Sequence, residues 1–153
     1  MANTYTQLYI QFVFAVNGRK SLIKESFRNE LEQLICGIVK KNQCKPYAIY
    51  CNPDHTHLFV GMHPTMAPSK LIEYVKCASS SWLNKTSYLP GKFSWQDGYA
   101  AFTYSQSHIH RVVQYILNQR KHHQSQSFRD EYQLFLQKFD VKYDDRFLFD
   151  NRD

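Results

Sequence analysis

The chain has 153 residues, of which 43% are apolar and 16% aromatic, enough for one sizeable core and too few for a second catalytic domain. Nineteen lysines and arginines against 13 acidic residues give a net charge of +6 and a pI near 9.1, which favours a polyanionic partner, nucleic acid or an anionic membrane surface. No run of about 18 apolar residues occurs and the first seven residues lack a basic segment followed by an apolar stretch, so a soluble, cytoplasmic protein that spans no membrane is expected. Tyr5 to Val16 alternates, with Thr6, Leu8, Ile10, Phe12 and Phe14 on one side and Tyr5, Gln7, Tyr9 and Gln11 on the other, as in a strand with one packed and one polar-aromatic face. Asn17-Gly18-Arg19-Lys20 reads as a turn. From Ser21 to Asn42, Leu22, Ile23, Phe27, Leu31, Leu34, Ile35, Ile38 and Val39 recur at helical spacing.

Pro46 to Cys51 and His55 to Met62 read as a hairpin turned by Asn52-Pro53-Asp54. After the break at Pro64 to Pro68, Ser69 to Leu83 fits a second amphipathic helix, and Lys92 to Thr103 a fourth strand interrupted at Gly98. The order β-α-β-β-α-β predicts an α+β fold, a ferredoxin-like, RNA-recognition-like sandwich with two helices on one face of a four-stranded antiparallel sheet and the other face open. Ser105 to Gln124 continues as a further helix, and Ser127 with Asp130 three residues on starts another. One domain over residues 1–153 is expected, with an α+β core at 1–104 and C-terminal helices at 105–153. Cys36, Cys44, Cys51 and Cys77 show no C-x-x-C pairing and sit in apolar segments, as buried free thiols do.

Two features carry chemistry. His55 and His57, two apart on a predicted strand, emerge on the same face about 7 Å apart along the chain, so their imidazoles can share one metal ion. Thr56, Leu58, Val60 and Met62 take the packed face, which leaves the histidines on the open one. On the helix from Ser105, Ile109, Val112, Val113, Ile116 and Leu117 form an apolar stripe, and Tyr115 falls roughly 130° from its centre. Gln119 lies one turn on, on the same flank, so a phenol and an amide oxygen project together. His108-Ile109-His110 repeats the H-x-H spacing on a helix, where the two rings point about 200° apart and share an ion poorly. His108 alone, seven residues before Tyr115, can still face substrate or tune the phenol.

With these residues, the chain resembles the HUH single-tyrosine transposases of the smallest insertion sequences, the insertion sequence 200/605 family. Pro53-Asp54-His55-Thr56-His57-Leu58-Phe59-Val60 is similar to the family's histidine motif, Trp95-Gln96-Asp97-Gly98-Tyr99 to the strand before its catalytic helix, and Tyr115-Ile116-Leu117-Asn118-Gln119 to its tyrosine motif. His122-His123 and Phe128-Arg129-Asp130-Glu131-Tyr132 add to the likeness. Thr56 departs from it, standing where the family usually has a bulky apolar residue; weakened local burial is expected there.

The resemblance implies that Tyr115 is the nucleophile, that His55, His57 and Gln119 hold Mg²⁺ or Mn²⁺, and that the DNA passes through a 5′-phosphotyrosine intermediate. It also implies single-stranded DNA hairpins as substrate and a homodimer whose subunits share active sites. Tyr5 and Tyr9, with Gln7 and Gln11, suit unstacked bases on an open sheet face. Arg19, Lys20, Lys40, Lys41, Lys85, Lys92, Arg111, Arg120 and Lys121 are candidates for phosphate contact. A non-enzymatic nucleic-acid-binding module with the same core is the alternative, although the lysine/arginine-Gly-aromatic pattern of such modules is missing. A replication or conjugation nickase and a domesticated palindrome-processing relative share the chemistry.

Overall fold

The computed structural model describes residues 3–122 and 126–143. Strands β1 (Tyr9–Ala15), β2 (Lys45–Cys51), β3 (His55–Gly61) and β4 (Ala100–Tyr104) form one antiparallel sheet in the order β2-β3-β1-β4. Helices α1 (Glu25–Lys41) and α2 (Pro68–Lys85) lie between strands in sequence, and α3 (Ile109–Leu117), α4 (Gln119–His122) and α5 (Phe128–Lys138) follow the sheet. The β-α-β-β-α-β order is the expected one. The central strands β1 and β3 are buried nearly throughout, as strands covered on both faces must be.

One face packs on α1 and α2. Phe12, Phe14, Leu58 and Val60 alternate along β1 and β3 and meet Phe27, Leu31, Ile35 and Val39 of α1 and Leu71, Ile72, Val75 and Leu83 of α2. Thr56 points into this layer and is fully buried, so the weakened burial expected there is absent. The segment before β4 is bound to the same layer without joining the ladder. Trp95 packs on Phe14 and Phe93, its indole N–H donates to Ser79 Oγ at 2.8 Å, and Gln96 N donates to Ala15 O. Lys76 Nζ holds the carbonyls of Gln96 and Gly98. The fourth strand is therefore shorter than Lys92 to Thr103: positive φ at Gly98 turns the chain, leaving a single bridge between Val16 and Trp95 upstream.

The other face is not open. Residues one step out of phase on the strands, Val13, Ala15, Ala100 and Phe102, pack against Phe128 and Leu136 of α5, while Ala48 and Phe59 pack against Val112 and Ile116 of α3. At about 1.5–3 kcal/mol for each fully buried aliphatic or aromatic side chain, such contacts are ample to dock these helices. The apolar stripe on α3 was legible in the sequence; that it would cover the sheet was not. The segment from Ser105 to Gln124 is also no single helix. A 3₁₀ turn at Gln106–His108 precedes α3, and Asn118 (φ −98°, ψ 17°) breaks the path before α4 begins at Gln119.

Other boundaries shift. β1 starts at Tyr9, and Tyr5 lies ahead of it with 89% of its surface exposed, so it belongs to no sheet face. α1 begins at Glu25, behind the turn in which Gly18 and Arg19 take positive φ. Cys44 and Cys51 are buried as expected, but Cys36 is half-buried and Cys77 exposed, because Cys77 lies on the outer flank of α2.

Candidate metal and tyrosine site

The pairing register builds the site. β3 sets His57 opposite Val13 of β1 and Tyr50 of β2, and His55 opposite Ala15, so both imidazoles rise from the face that α3 and α5 cover. Their ring centroids are 5.2 Å apart. Contrary to an open-face placement, His55 and His57 are buried, His55 with the Phe128 ring of α5 stacked on it at 3.8 Å.

Each imidazole is oriented from behind. Asp54 Oδ1 lies 2.7 Å from His55 Nδ1, an arrangement in which Nδ1–H donates to the carboxylate and the Nε2 lone pair faces inward. His57 Nδ1 lies 2.9 Å from the Gln11 amide nitrogen, whose oxygen accepts from Tyr104. Gln11 was expected to face bases; buried instead, it holds a histidine.

The inward nitrogens converge on a residue that carried no assigned role, Glu131 of α5. Its Oε1 lies 2.9 Å from His57 Nε2 and 3.3 Å from His55 Nε2, and it is 2% exposed. Its Oε2 accepts the hydrogen bond of the Tyr115 phenol and another from Gln119 Nε2 at 3.2 Å. The break at Asn118 turns Gln119 fully inward, and its Oε1 accepts from Asn52 Nδ2 at 3.1 Å; Asn52 also lies 3.2 Å from His55 Nε2. The Tyr115 ring stands edge-on to His57 at 5.9 Å and to Phe135 at 5.6 Å. Thus the residues singled out on β3 and α3 do meet, within one chain. Sequence reasoning missed Glu131, Asn52 and the roles of Asp54 and Gln11; Glu131 sat within a stretch noted for family likeness, four residues into a capped helix, with no spacing to link it to β3.

The donor set fits a divalent ion. One ligand atom from each of His55, His57 and Glu131 lies within 4.8 Å of the others, all three are buried, and a mixed nitrogen and carboxylate set suits Mn²⁺ better than Mg²⁺. Burial first, then the Glu131 carboxylate and the hydrogen bond donated to it, hold the Tyr115 phenol well above its ordinary pKa. Burial likewise pushes Tyr104 up to about 12.

The candidate DNA contacts are scattered. Tyr9 is half-buried and packs edge-on against Tyr47 at 5.8 Å. Arg19 and Lys20 follow β1 near its His55 end, with Lys20 exposed. Arg111 and His108 are exposed beside a cavity that Tyr115 also lines. Arg120 is ion-paired with Glu25, and Lys121 is exposed on α4. The side chain of His122 and all of His123 fall outside the described residues. With α3 and α5 on the sheet, the broad aromatic face that a sheet-binding module would use is covered, which removes the structural basis of that alternative. Among the described residues no helix is long and apolar enough to cross a membrane.

A family described as "Transposase IS200 like" matches residues 4–119. Among solved structures, a transposase candidate from Deinococcus radiodurans R1 is similar at a TM-score of 0.63, with 22% identity over 78% of this chain and 95% of that one. A REP-associated tyrosine transposase bound to a REP hairpin is similar at a TM-score of 0.59, with 16% identity over 80% of this chain and 73% of that one. At these identities the two structures speak for the fold. No curated protein matches the chain.

Proposed function

The chain belongs to the IS200-like family of single-tyrosine transposases, and from that premise we propose that it cuts and rejoins single-stranded DNA with Tyr115 as the nucleophile. The observation that carries this reading is the meeting of the Tyr115 phenol with Glu131 beside two buried, oriented imidazoles. His55, His57 and Glu131 would hold a divalent ion, with Gln119 beside them, and the ion when bound supplies charge neutralisation at a nonbridging phosphate oxygen. The chain's own residues do the rest. Asp54 and Gln11 fix the imidazoles, Phe128 stacks on His55 and Phe135 stands edge-on to Tyr115 to hold both rings in place, and Tyr115 Oη passes its proton to Glu131 Oε2 as it attacks.

In that attack the Oη–P bond forms and the P–O3′ bond breaks; the departing 3′-oxygen takes a proton from solvent, leaving a 5′-phosphotyrosine. A 3′-hydroxyl attacking the same phosphorus reverses the bookkeeping and reseals the strand with no nucleotide cofactor. Hairpin DNA is the substrate we propose, in keeping with the REP hairpin held by the structural neighbour. A cytoplasmic location, where chromosomal DNA lies, belongs to the same proposal.

Incubation with a labelled hairpin carrying single-stranded flanks and Mn²⁺ should give an adduct that survives denaturant. Tyr115→Phe should abolish the adduct and retain binding; an adduct formed by the Phe variant would assign the nucleophile elsewhere. The resemblance also carries a second reading, a homodimer in which each tyrosine serves the partner's metal site. Mixing Tyr115→Phe with His57→Ala protein decides it: recovered cleavage means sharing between subunits, whereas no recovery means that each chain uses its own tyrosine, as the single-chain contacts favour.

A further inference from the structure

Beside Tyr115 lies a cavity of about 600 Å³ between α3, α5 and the end of β4, within the range of small-molecule clefts. Its walls include Tyr104, Leu134 and Phe135, apolar or aromatic, and its lining also includes two cations, Arg111 and Lys138. Both are exposed, and neither forms an ion pair or hydrogen bond among the described residues. Leu134 leaves 53% of its surface to solvent there, so its methyl groups are accessible from the cavity. Glu131, also at the lining, connects the cavity to the buried histidines. An aromatic and apolar pocket with cations and a nucleophile on its border is complementary to one unstacked nucleotide: a base against the rings, a phosphate toward the cations.

The direction of attack says which nucleotide. In an in-line displacement the departing 3′-oxygen lies opposite the phenol oxygen, so the upstream strand leaves on the far side from Tyr115. The nucleotide 3′ of the break is attached through O5′, an equatorial substituent, and stays bonded to the phosphorus that Tyr115 holds, so it is the one left beside the tyrosine and the cavity. Resting on the reading of Tyr115 as nucleophile, we propose that this cavity seats the base and sugar of the nucleotide immediately 3′ of the scissile phosphate, recognised as a 5′-phosphorylated deoxynucleotide.

The probes are the four deoxynucleoside 5′-monophosphates and their 3′-monophosphate isomers, titrated into the full chain in Mg²⁺ buffer and followed by calorimetry, which reads the parent and every variant alike. The 5′ isomers should bind tighter than the 3′ isomers, by about fivefold or more, and Leu134→Glu should weaken them about tenfold. Gln137→Glu, a change of the same charge on the same helix outside the cavity lining, should alter binding less than about twofold. Equal affinity for the two isomers, or Leu134→Glu binding as the parent does, overturns the proposal. The hairpin adduct separates the two readings. An adduct without isomer discrimination sinks the cavity proposal alone, whereas isomer discrimination without an adduct keeps the nucleotide site and removes Tyr115 from its role.

Discussion

Glu131 shows how much a single side chain can decide. Its two oxygens face two imidazoles on one side and a phenol and an amide on the other, so its charge lies between the proposed metal position and the proposed nucleophile. Glu131→Gln keeps the size and removes the charge. The phenol of Tyr115 then loses both the repulsion and the charged acceptor that raise its pKa, and should titrate closer to its ordinary value, as ultraviolet absorbance would record. Metal affinity should fall by more than about 10-fold, since even losing a group that only supports a ligand costs about 10- to 100-fold; calorimetry giving an unchanged affinity would remove Glu131 from the ligand set. That His55 and His57 share a face and that Tyr115 lies off the apolar stripe was legible from spacing, because period 2 on a strand and 100° per residue on a helix place side chains whatever surrounds them, while their proposed roles came from the family resemblance. The carboxylate was not, since a glutamate in the first turn of a helix is equally at home in solvent, where it complements the helix dipole.

At the level of elements, α5 matters most, because it brings Glu131, Phe128 and Phe135 to the site. Ser127 caps it, its Oγ accepting from Asp130 N at 3.2 Å. Ser127→Ala should lower the stability of the chain by about 1 kcal/mol in urea denaturation and weaken metal binding with it; a variant as stable as the parent would mean that α5 is held by its apolar face alone. The Ser127 cap and the apolar positions of the helices could be read directly from the chain. The interruption of the fourth strand at Gly98 could also be read from the chain, but the long helix from Ser105 is broken at Asn118 by a tertiary demand, because Gln119 turns inward toward Glu131 and Asn52. Periodicity reports which face is apolar, not where a bend is needed to satisfy a distant hydrogen bond.

For the molecule as a whole, a buried site whose proposed ligands come from β3 and α5 would tie metal binding to folding. Saturating Mn²⁺ at about 100 times its dissociation constant should add about 2.7 kcal/mol, a rise in melting temperature of several degrees for a chain of this size, and His57→Ala should abolish the rise. No rise in the parent protein would mean that the ion, if bound, does not depend on the folded arrangement. The order of strands and helices, the basic charge, the histidine face and the tyrosine flank followed from sequence alone, because alternation, helical spacing and composition are local properties that each segment carries with it. That α3 and α5 fold back over the sheet, closing the face expected to be open and delivering Glu131 to the histidines, was decided only by tertiary structure. The physical reason is that two apolar stripes, on the helices and on the second sheet face, bury best against each other, and nothing in the period of either names its partner.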